Sequence, residues 1–405
     1  MRVIIHADLN NFFASVECLL NPELKGKFVG VCGNIESRHG IILAKSENAK
    51  KLGVKTGMTI REAQKLCPDI VLVEAHHSHY EAYSKLVKNI YLKYTDYIES
   101  FGIDECWLDV TSSLKMFGSG EDIAYKIKEQ VKKELGLTIS CGVSFNKVFA
   151  KLGSDMKKPD AVTVITQENF KQKIWSLPVS DLLYIGRSTT QKLNKININT
   201  IGDLANTDRE FLEKKFGKWG GILHDYALGL DFSPVLKYNE SDEVKSVGNS
   251  LTSYRDLQNY EDIKIVFSIL CESVSERVTV AHLNKATILS IYVRDNTLQS
   301  ITRQCKLPSP SKLSEDYFKT AFELFKKEYN EPFSIRTLGV SVSGFLTCEE
   351  QITFDDTNVI KRDKLNDTIL NIKQKYGKKI VHKGIVLKDK KIMREDPAET
   401  HNSPV

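Results

Sequence analysis

The chain has 405 residues, of which 41% are hydrophobic and 27% are charged, and its formal net charge is +5. This length predicts two to four domains, and the composition is that of an ordinary soluble globular protein. Because the net charge is small, any binding of nucleic acid depends on local basic clusters rather than on a field of the whole molecule. The first residues are too few and too quickly charged for a signal peptide, and no apolar run approaches the length of a membrane span.

The eight cysteines form no CxxC pair and no cluster with the spacing of a zinc site. This pattern is typical of scattered reduced thiols, so we expect the chain to work in the reducing cytosol.

The first 166 residues predict a β-rich region that is covered by helices, because apolar runs of strand length alternate with amphipathic ones. The predicted strands are 3–7, 28–32, 40–44, the hairpin 97–110, 137–145 and 161–165, and the predicted helices are 12–20, 46–52, 60–66, 79–94, 123–135 and 147–156.

The pattern changes after residue 166. Residues 167–231 predict short helices and tight turns without strands, and the polar residues 237–246 predict an exposed linker. Beyond the linker the predicted strands are 289–295, 301–307 and 337–345, and the predicted helices are 263–281 and 315–329. The polar tail after residue 347 predicts one helix, 359–376, and a disordered end.

Three carboxylates stand at positions where a sheet can bring them together. Asp8 ends a buried strand, and Asp104 and Glu105 lie in the predicted hairpin. Carboxylates at one end of neighbouring strands can hold two divalent cations for in-line phosphoryl transfer, and hard oxygen ligands favour Mg²⁺. Taken alone, the same residues are better explained as loop caps and turn residues.

Three motifs decide between these interpretations. The segments HADLNNFFASVE, GIDECWLDVT and SFNKVFAKLGSDMKKPD resemble three motifs of the Y-family DNA polymerases, in the same order and at similar separations. The resemblance extends from residue 1 to about 348. It implies an α+β right-hand polymerase with palm, small fingers, a helical thumb and a separate α/β little finger. It also implies that Asp8, Asp104 and Glu105, with the carbonyl group of Leu9, bind two Mg²⁺ ions.

The resemblance further implies a low-fidelity DNA polymerase for translesion synthesis and repair. Its partners would be primer-template DNA and deoxynucleoside triphosphates. We expect that it binds no membrane and acts as a monomer in the cytoplasm. The implied domains are the palm at 1–22 and 76–166, the fingers at 23–75, the thumb at 167–235, a linker at 236–243, the little finger at 244–348 and a tail at 349–405.

The start of the first helix suits an anion, because its backbone N–H groups are unpaired and point along the helix dipole. The triphosphate would bind at the amides of residues 10–13, which are Asn10, Asn11, Phe12 and Phe13. Phe13 aligns with the family's steric gate, the aromatic ring that leaves no room for a ribose 2′-hydroxyl, whereas Phe12 is expected in the core; a core role for Phe13 is the alternative. Lys158 matches the family lysine that meets the triphosphate.

Lys50 is a further candidate for the phosphates. The polymerase IV branch of the family carries Thr, Tyr and Arg in this helix, where this chain has Ala44, Glu47 and Lys50, and the polymerase V subunit is the alternative branch. Lys50 supplies a point charge rather than a bidentate fork, and a solvated basic helix face remains the alternative interpretation. Small residues near the templating base, Gly33, Gly40 and Ile41, would leave an open roof for damaged bases.

The remaining candidates concern DNA and a sliding clamp. The hairpin around Ile185 and Gly186 resembles a helix-hairpin-helix with backbone amides for a DNA phosphate, although Tyr184 replaces the usual glycine. Candidate phosphate contacts of the little finger are Lys245, Arg255, Arg294, Arg303 and Arg336. Residues Gln351, Ile352 and Phe354 resemble a degenerate clamp-binding peptide, for which chance similarity is an equal explanation.

Two other functions are compatible with parts of the chain. A nucleotidyl cyclase shares a palm with two strand-end aspartates but needs no thumb and no basic C-terminal sheet. A non-catalytic polymerase subunit or scaffold usually lacks one of the carboxylates, and all three are present here. Primer extension with Mg²⁺ separates these functions from a polymerase.

Overall fold

The computed structural model describes residues 2–33, 35, 40–240, 243–347, 357–377, 380–389 and 391–392. The chain forms two compact units. The N-terminal unit comprises Met1–Ile35 and Ile41–Ser241, and the C-terminal unit comprises Glu36–Gly40 and Asp242–Val405.

The strands of the N-terminal unit are β1 Ile4–Leu9, β2 Val29–Cys32, β3 Ile42–Lys45, β4 Val71–Glu74, β5 Ile98–Ser100, β6 Glu105–Asp109, β7 Ile139–Ser144 and β8 Val162–Val164. Its helices are α1 Phe12–Leu20, α2 Glu47–Lys51, α3 Ile60–Leu66, α4 His77–Tyr91, α5 Leu114–Phe117, α6 Gly120–Leu135, α7 Lys147–Met156, α8 Phe170–Ile174, α9 Arg187–Asn194, α10 Ile201–Asn206, α11 Arg209–Phe216 and α12 Lys218–Ala227.

The C-terminal unit contains β9 Ser246–Leu257, α13 Tyr260–Val280, β10 Ala286–Asp295, β11 Ser300–Ser311, α14 Ser314–Glu328, β12 Ile335–Phe345 and α15 Thr357–Tyr376. Short 3₁₀ turns occur in both units, at Pro22–Leu24, Thr111–Ser113, Val179–Asp181 and Gly384–Lys388.

A five-stranded sheet in the order β5-β6-β1-β7-β8 forms the centre of the N-terminal unit. Strand β1 lies between β6 and β7 and is antiparallel to both. Since successive side chains of a strand point to opposite faces, the residues of β1 divide into two sets. Ile5, Ala7 and Leu9 pack into the large core with α4 and α6, whereas His6 and Asp8 contact residues of α7 on the other face.

Helix α7 lies directly against the sheet because a glycine faces it. A Cβ atom on Gly142 of β7 would lie 2.0 Å from the carbonyl oxygen of Ala150, so no larger residue fits there without displacing the helix. This close contact brings the polar side chains of α7, including Lys151 and Ser154, to the face of the sheet that carries Asp8.

A smaller sheet in the order β3-β2-β4 packs with α2 and α3 around Ile42, Ala49 and Ala63. Strand β4 was not predicted, because its four residues have no alternation and are ordered by parallel pairing with β2. The helical region after residue 166 is as predicted: α8–α12 pack around a core that includes Leu193, Ile201 and Leu212 and that also contains Phe149 of α7.

The C-terminal unit is an antiparallel sheet in the order β11-β10-β12-β9, against which α13 and α14 pack. Strand β9 was missing from the predicted strands. The helix predicted at 359–376 is present as α15. Among the described residues after it, Val386 and Ile392 are buried in the core of this unit and so do not belong to a separate tail. Both are single apolar residues in a lysine-rich stretch, so no periodicity marked them as core residues.

The cysteines in the described part of the chain are free thiols, in agreement with the prediction, and Cys348 lies outside the described residues. Among the described helices, none has both the length and the apolarity that crossing a membrane requires.

Candidate active site

A cavity of about 310 Å³ opens in the N-terminal unit beside the ends of β1 and β6. All ten residues predicted for the metal ions and the triphosphate line it: Asp8, Leu9, Asn10, Asn11, Phe12, Phe13, Lys50, Asp104, Glu105 and Lys158. Ala44 and Glu47, which stand where the polymerase IV branch carries Thr and Tyr, line it as well.

The sheet register brings the three carboxylates together. Asp8 pairs with Glu105 across β1 and β6, and the amide of Leu9 donates to the carbonyl oxygen of Asp104 at 3.1 Å. Because β1 is central and ends at Leu9, Asp8 is buried while its carboxylate still reaches the cavity. Residues 96 positions apart therefore meet at one edge of the sheet.

Two lysines contact these carboxylates. Nζ of Lys158 lies 2.7 Å from Oδ2 of Asp8, and Nζ of Lys151 lies 2.7 Å from Oε2 of Glu105 and 3.4 Å from Oδ2 of Asp8. Both lysines also contact Asp155. Although burial opposes their charge, these carboxylates raise the pKa of both lysines, so both stay protonated.

The pKa values of neighbouring Asp104 and Glu105 move in opposite directions. Burial, together with the charges of Asp8 and Glu105, raises the pKa of Asp104 to about 6. Burial acts in the same direction on Glu105, but the contacts with His6 and Lys151 outweigh it and lower the pKa of Glu105 to about 2. Asp104 is thus the carboxylate whose charge is least compensated by protein groups.

His6 connects Glu105 to α7. Its ring is fully buried, with Nδ1 at 2.9 Å from Oγ of Ser154 and Nε2 at 3.2 Å from Oε2 of Glu105. Burial lowers the pKa of His6, which favours the neutral ring. The sequence did not single out His6, although it stands in the first of the three motifs.

The donor set suits hard divalent cations, because three carboxylates face one cavity, and burial together with the charges of Asp8 and Glu105 raises the pKa of Asp104. In the arrangement of the described residues, however, no three His, Cys, Asp or Glu side chains converge closely enough to hold an ion. Lys151 and Lys158 instead contact Asp8 and Glu105. The residues therefore fit two cations in charge and chemistry, provided that the lysines withdraw from the carboxylate oxygens.

The first turn of α1 forms the neighbouring wall of the cavity. Asn11 occupies the N-cap position with φ 49°, but its side chain makes no capping hydrogen bond and instead donates to Oε2 of Glu47 at 3.1 Å. The amide of Asn10, which was predicted to meet the triphosphate, instead donates to the carbonyl oxygen of Thr138. The first intrahelical bond runs from the amide of Ser15 to the carbonyl oxygen of Asn11, so the amides of residues 11–14 have no intrahelical acceptor.

The side chain of Asn10 holds the loop that carries Lys158. Its Oδ1 accepts from the amide of Asp160 at 2.9 Å, and its Nδ2 donates to Oγ of Ser140 at 2.9 Å. Lys128 and Lys132 in turn contact the Asp160 carboxylate. Asn10 and these two lysines thus hold Asp160, which follows Lys158 by two residues, and so fix the loop that carries Lys158.

The two phenylalanines at the start of α1 have different environments. Phe12 is buried in the core, as predicted, whereas Phe13 is partly exposed and lines the cavity. Lys50 also lines the cavity, with a half-exposed side chain whose Nζ lies 3.9 Å from Oε2 of Glu47. Its charge is therefore available to an anion in the cavity.

Known protein families match three parts of this chain. Residues 7–155 match the impB/mucB/samB family, residues 244–355 match the C-terminal domain of that family, and residues 180–231 match the thumb domain of DNA polymerase-iota. The chain is 50% identical to DNA polymerase IV of Acetivibrio thermocellus over 97% of this chain and 99% of that protein. It is 38% identical to DNA polymerase IV of Clostridium kluyveri over 96% of this chain and 99% of that protein.

The chain belongs to the impB/mucB/samB family of Y-family DNA polymerases. A solved Y-family polymerase chimera of Dbh and Dpo4 has a TM-score of 0.75 at 27% identity, over 85% of this chain and 99% of that one. The Dbh DNA polymerase in an insertion ternary complex has a TM-score of 0.58 at 25% identity, with the same coverage. The predicted right-hand fold with palm, fingers, thumb and little finger is confirmed.

The thumb hairpin differs from the predicted pair of helices. The segment before Gly186 is only a 3₁₀ turn, Val179–Asp181, and α9 begins directly after Gly186. Ile185 is buried, so only its backbone can meet a phosphate. Tyr184 adopts a φ of 69°, a conformation that favours glycine, which agrees with the glycine usual at this family position.

The candidate DNA contacts of the little finger have unequal surroundings. Lys245 is exposed and directly precedes β9, Arg294 donates to the carbonyl oxygen of Leu298, and Arg303 pairs with Glu328 on an exposed surface. Arg336 is partly buried on β12.

Arg255 makes bidentate hydrogen bonds with Asp262 at 2.7 and 2.8 Å and also contacts Asp389. Its guanidinium group is thus bound within the unit, and a phosphate would have to compete with two carboxylates. The clamp-binding candidates Gln351, Ile352 and Phe354 lie outside the described residues.

Residues that the sequence analysis missed surround the predicted site: Lys151 and His6 at the carboxylates, and Glu17 and Tyr80 behind Phe13. Three of the four lie within the quoted motifs, so the signal was available. Tyr80 lies outside them and carried no signal.

Proposed function

We propose that this chain is a template-directed DNA polymerase of the polymerase IV type, which adds deoxynucleotides to a primer 3′ end with two divalent cations. The observation that carries the proposal is the convergence of Asp8, Asp104 and Glu105 on one cavity with the start of α1, Phe13 and Lys158. The extensive similarity to proteins named DNA polymerase IV supports it, and makes the cyclase alternative unnecessary.

The protein groups have separate tasks in this proposal. Asp8, Asp104 and Glu105, with the Leu9 carbonyl, would hold two Mg²⁺ ions, which when bound lower the pKa of the attacking 3′-hydroxyl and neutralise the triphosphate. The amides at the start of α1 and the charges of Lys50 and Lys158 bind the triphosphate. Phe13 closes the cavity under the sugar and excludes a 2′-hydroxyl.

We further propose translesion synthesis as the role, with low fidelity as its consequence. Gly33 has no heavy atom within 4 Å of a Cβ built on it, and Ile41 is 41% exposed, so this part of the fingers leaves space for a damaged templating base.

A sliding clamp is a proposed partner through Gln351 and Phe354. The variant in which both residues are replaced by Ala should abolish stimulation of primer extension by the cognate clamp. Stimulation that survives this variant would assign the contact elsewhere.

Primer extension with Mg²⁺ tests the proposal. Asp104→Ala and Glu105→Ala should each abolish extension while DNA binding, measured by fluorescence anisotropy, stays nearly intact. Asp96→Ala is the control, since Asp96 is exposed, lies in the same unit and does not line the cavity. More than about a hundredth of wild-type activity in either cavity variant, roughly 2.7 kcal/mol of barrier, would contradict the assignment. An inactive wild type would support the non-catalytic subunit.

Phe13→Ala should raise ribonucleotide incorporation far more than it changes deoxynucleotide incorporation. Equal effects on both would make Phe13 a packing residue.

A further inference from the structure

One face of Phe13 is covered by another aromatic ring. The ring of Tyr80, on the first turn of α4, stacks on Phe13 with centroids 4.1 Å apart and an interplanar angle of 10°. The ring of His77 meets Phe13 edge-on at 5.7 Å. Phe13 lines the cavity and Tyr80 does not, so Phe13 lies between Tyr80 and the space for the nucleotide.

Tyr80 is itself fixed in place. It is fully buried, its hydroxyl donates to Oε1 of Glu17 at 2.5 Å, and the same hydroxyl accepts from the amide of His76 at 3.1 Å. Nδ1 of His76 lies 3.0 Å from the same oxygen of Glu17. Burial, reinforced by the hydrogen bond to Glu17, raises the pKa of Tyr80, so the phenol remains neutral and keeps its proton for this bond.

Glu17 connects this arrangement back to Phe13. The two residues are four apart on α1 and therefore share one face of the helix. Glu17 is only 4% exposed. A buried carboxylate destabilises the fold unless well-placed hydrogen-bonding partners compensate for its lost hydration, and Tyr80 and His76 are such partners here. A closed ring of contacts thus runs from Phe13 to Tyr80, to Glu17 and along one turn of helix to Phe13.

We propose that Tyr80, anchored by Glu17, is a positioning residue that holds Phe13 against the nucleotide sugar and thereby sets the discrimination against ribonucleotides. The inference rests on the proposed function of Phe13 as the gate. A gate excludes a 2′-hydroxyl only if its ring cannot retreat, and the face of Phe13 away from the sugar is where retreat is blocked. Tyr80 touches no substrate atom and acts only through Phe13.

The test compares incorporation efficiencies, as kcat/KM, for a deoxynucleotide and the matching ribonucleotide on one primer-template. Tyr80→Leu should lower the discrimination ratio about threefold to tenfold, the range that loss of one aromatic pair allows. Tyr80→Phe keeps the ring and loses the hydrogen bond to Glu17, and should give an intermediate ratio. The control is Tyr94→Phe, which removes the Tyr94–Gln130 hydrogen bond of 2.9 Å in the same unit and should leave the ratio unchanged.

A double-mutant cycle separates positioning from a general structural effect. In a Phe13→Ala background, Tyr80→Leu should change the ratio no further, because there is no ring left to position. An equal loss of deoxynucleotide and ribonucleotide incorporation in Tyr80→Leu, or an undiminished ratio in both Tyr80 variants, would overturn the proposal.

Three outcomes are distinct. If Phe13→Ala lowers the ratio and neither Tyr80 variant does, Phe13 is the steric gate and the proposed positioning role of Tyr80 is wrong. If Phe13→Ala leaves the ratio unchanged, both are wrong. If the wild type extends no primer, the proposed function itself fails. Thermal unfolding of each variant shows whether it folds. If Tyr80→Leu does not fold, the discrimination ratio of Tyr80→Phe alone decides whether Tyr80 positions Phe13.

Discussion

Replacing Asp104 by Asn should stabilise the metal-free protein at neutral pH while it removes primer extension. The reason lies in the raised pKa of Asp104, which means that the folded protein holds its proton more tightly than the unfolded chain. The stability that comes from this proton is fully present below the usual pKa of 3.8 and is lost as the pH rises through about 6. An uncharged amide of the same shape avoids the loss.

The size of the effect follows from the shift. Raising the pKa from 3.8 to about 6 corresponds to about 3 kcal/mol at 1.36 kcal/mol per pKa unit. Because the side chain is partly exposed, solvent screening reduces the expected gain to about 1–2 kcal/mol. Glu105 should behave in the opposite way, since its pKa is lowered to about 2 and its charge therefore stabilises the fold above the usual pKa of 4.5.

The assay is urea unfolding in the presence of a chelator at pH 7.5 and at pH 4. Asp104→Asn should be more stable than wild type at pH 7.5, and the gain should shrink at pH 4, where Asp104 is protonated in the folded wild type. Glu105→Gln, the matched control, should be less stable at pH 7.5. Added Mg²⁺ should then stabilise the wild type more than Asp104→Asn. Equal stability of the Asn variant and wild type at pH 7.5 would refute the reasoning, as would stabilisation by Glu105→Gln.

Lys158→Ala should raise the KM for the incoming nucleotide at least tenfold in steady-state primer extension, and an unchanged KM would remove Lys158 from the triphosphate site. Gly142→Ala should lower the free energy of unfolding by about 2 kcal/mol or more, because its Cβ would overlap the backbone of α7; a change near zero would show that α7 can move. Deletion of 357–405 should destabilise the C-terminal unit by several kcal/mol, at about 1.5–3 kcal/mol for each buried side chain of Val386 and Ile392. Calorimetry checks this, and an unaltered unfolding transition would mean that the segment is dispensable.

Local sequence determined much of this protein. Strand β1 follows from a short apolar run, helix α3 from the capping box of Thr59 and Glu62, and helix α6 from that of Ser119 and Asp122. Nine of the ten predicted residues that line the cavity, all except Lys50, lie in the three motifs, each of which is short and keeps its residues in order. These features depend on neighbours within a few positions, which a sequence records directly.

The tertiary structure alone decided how those residues behave. Asp104 and Glu105 are adjacent in the chain, yet only Glu105 lies beside Lys151 and His6, and this contact separates their pKa values. Arg255 is bound by Asp389, 134 positions later. Phe13 is backed by Tyr80, which no motif contains. Burial and pairing depend on which distant groups the fold brings within a few ångströms, and local sequence patterns carry no record of those distances.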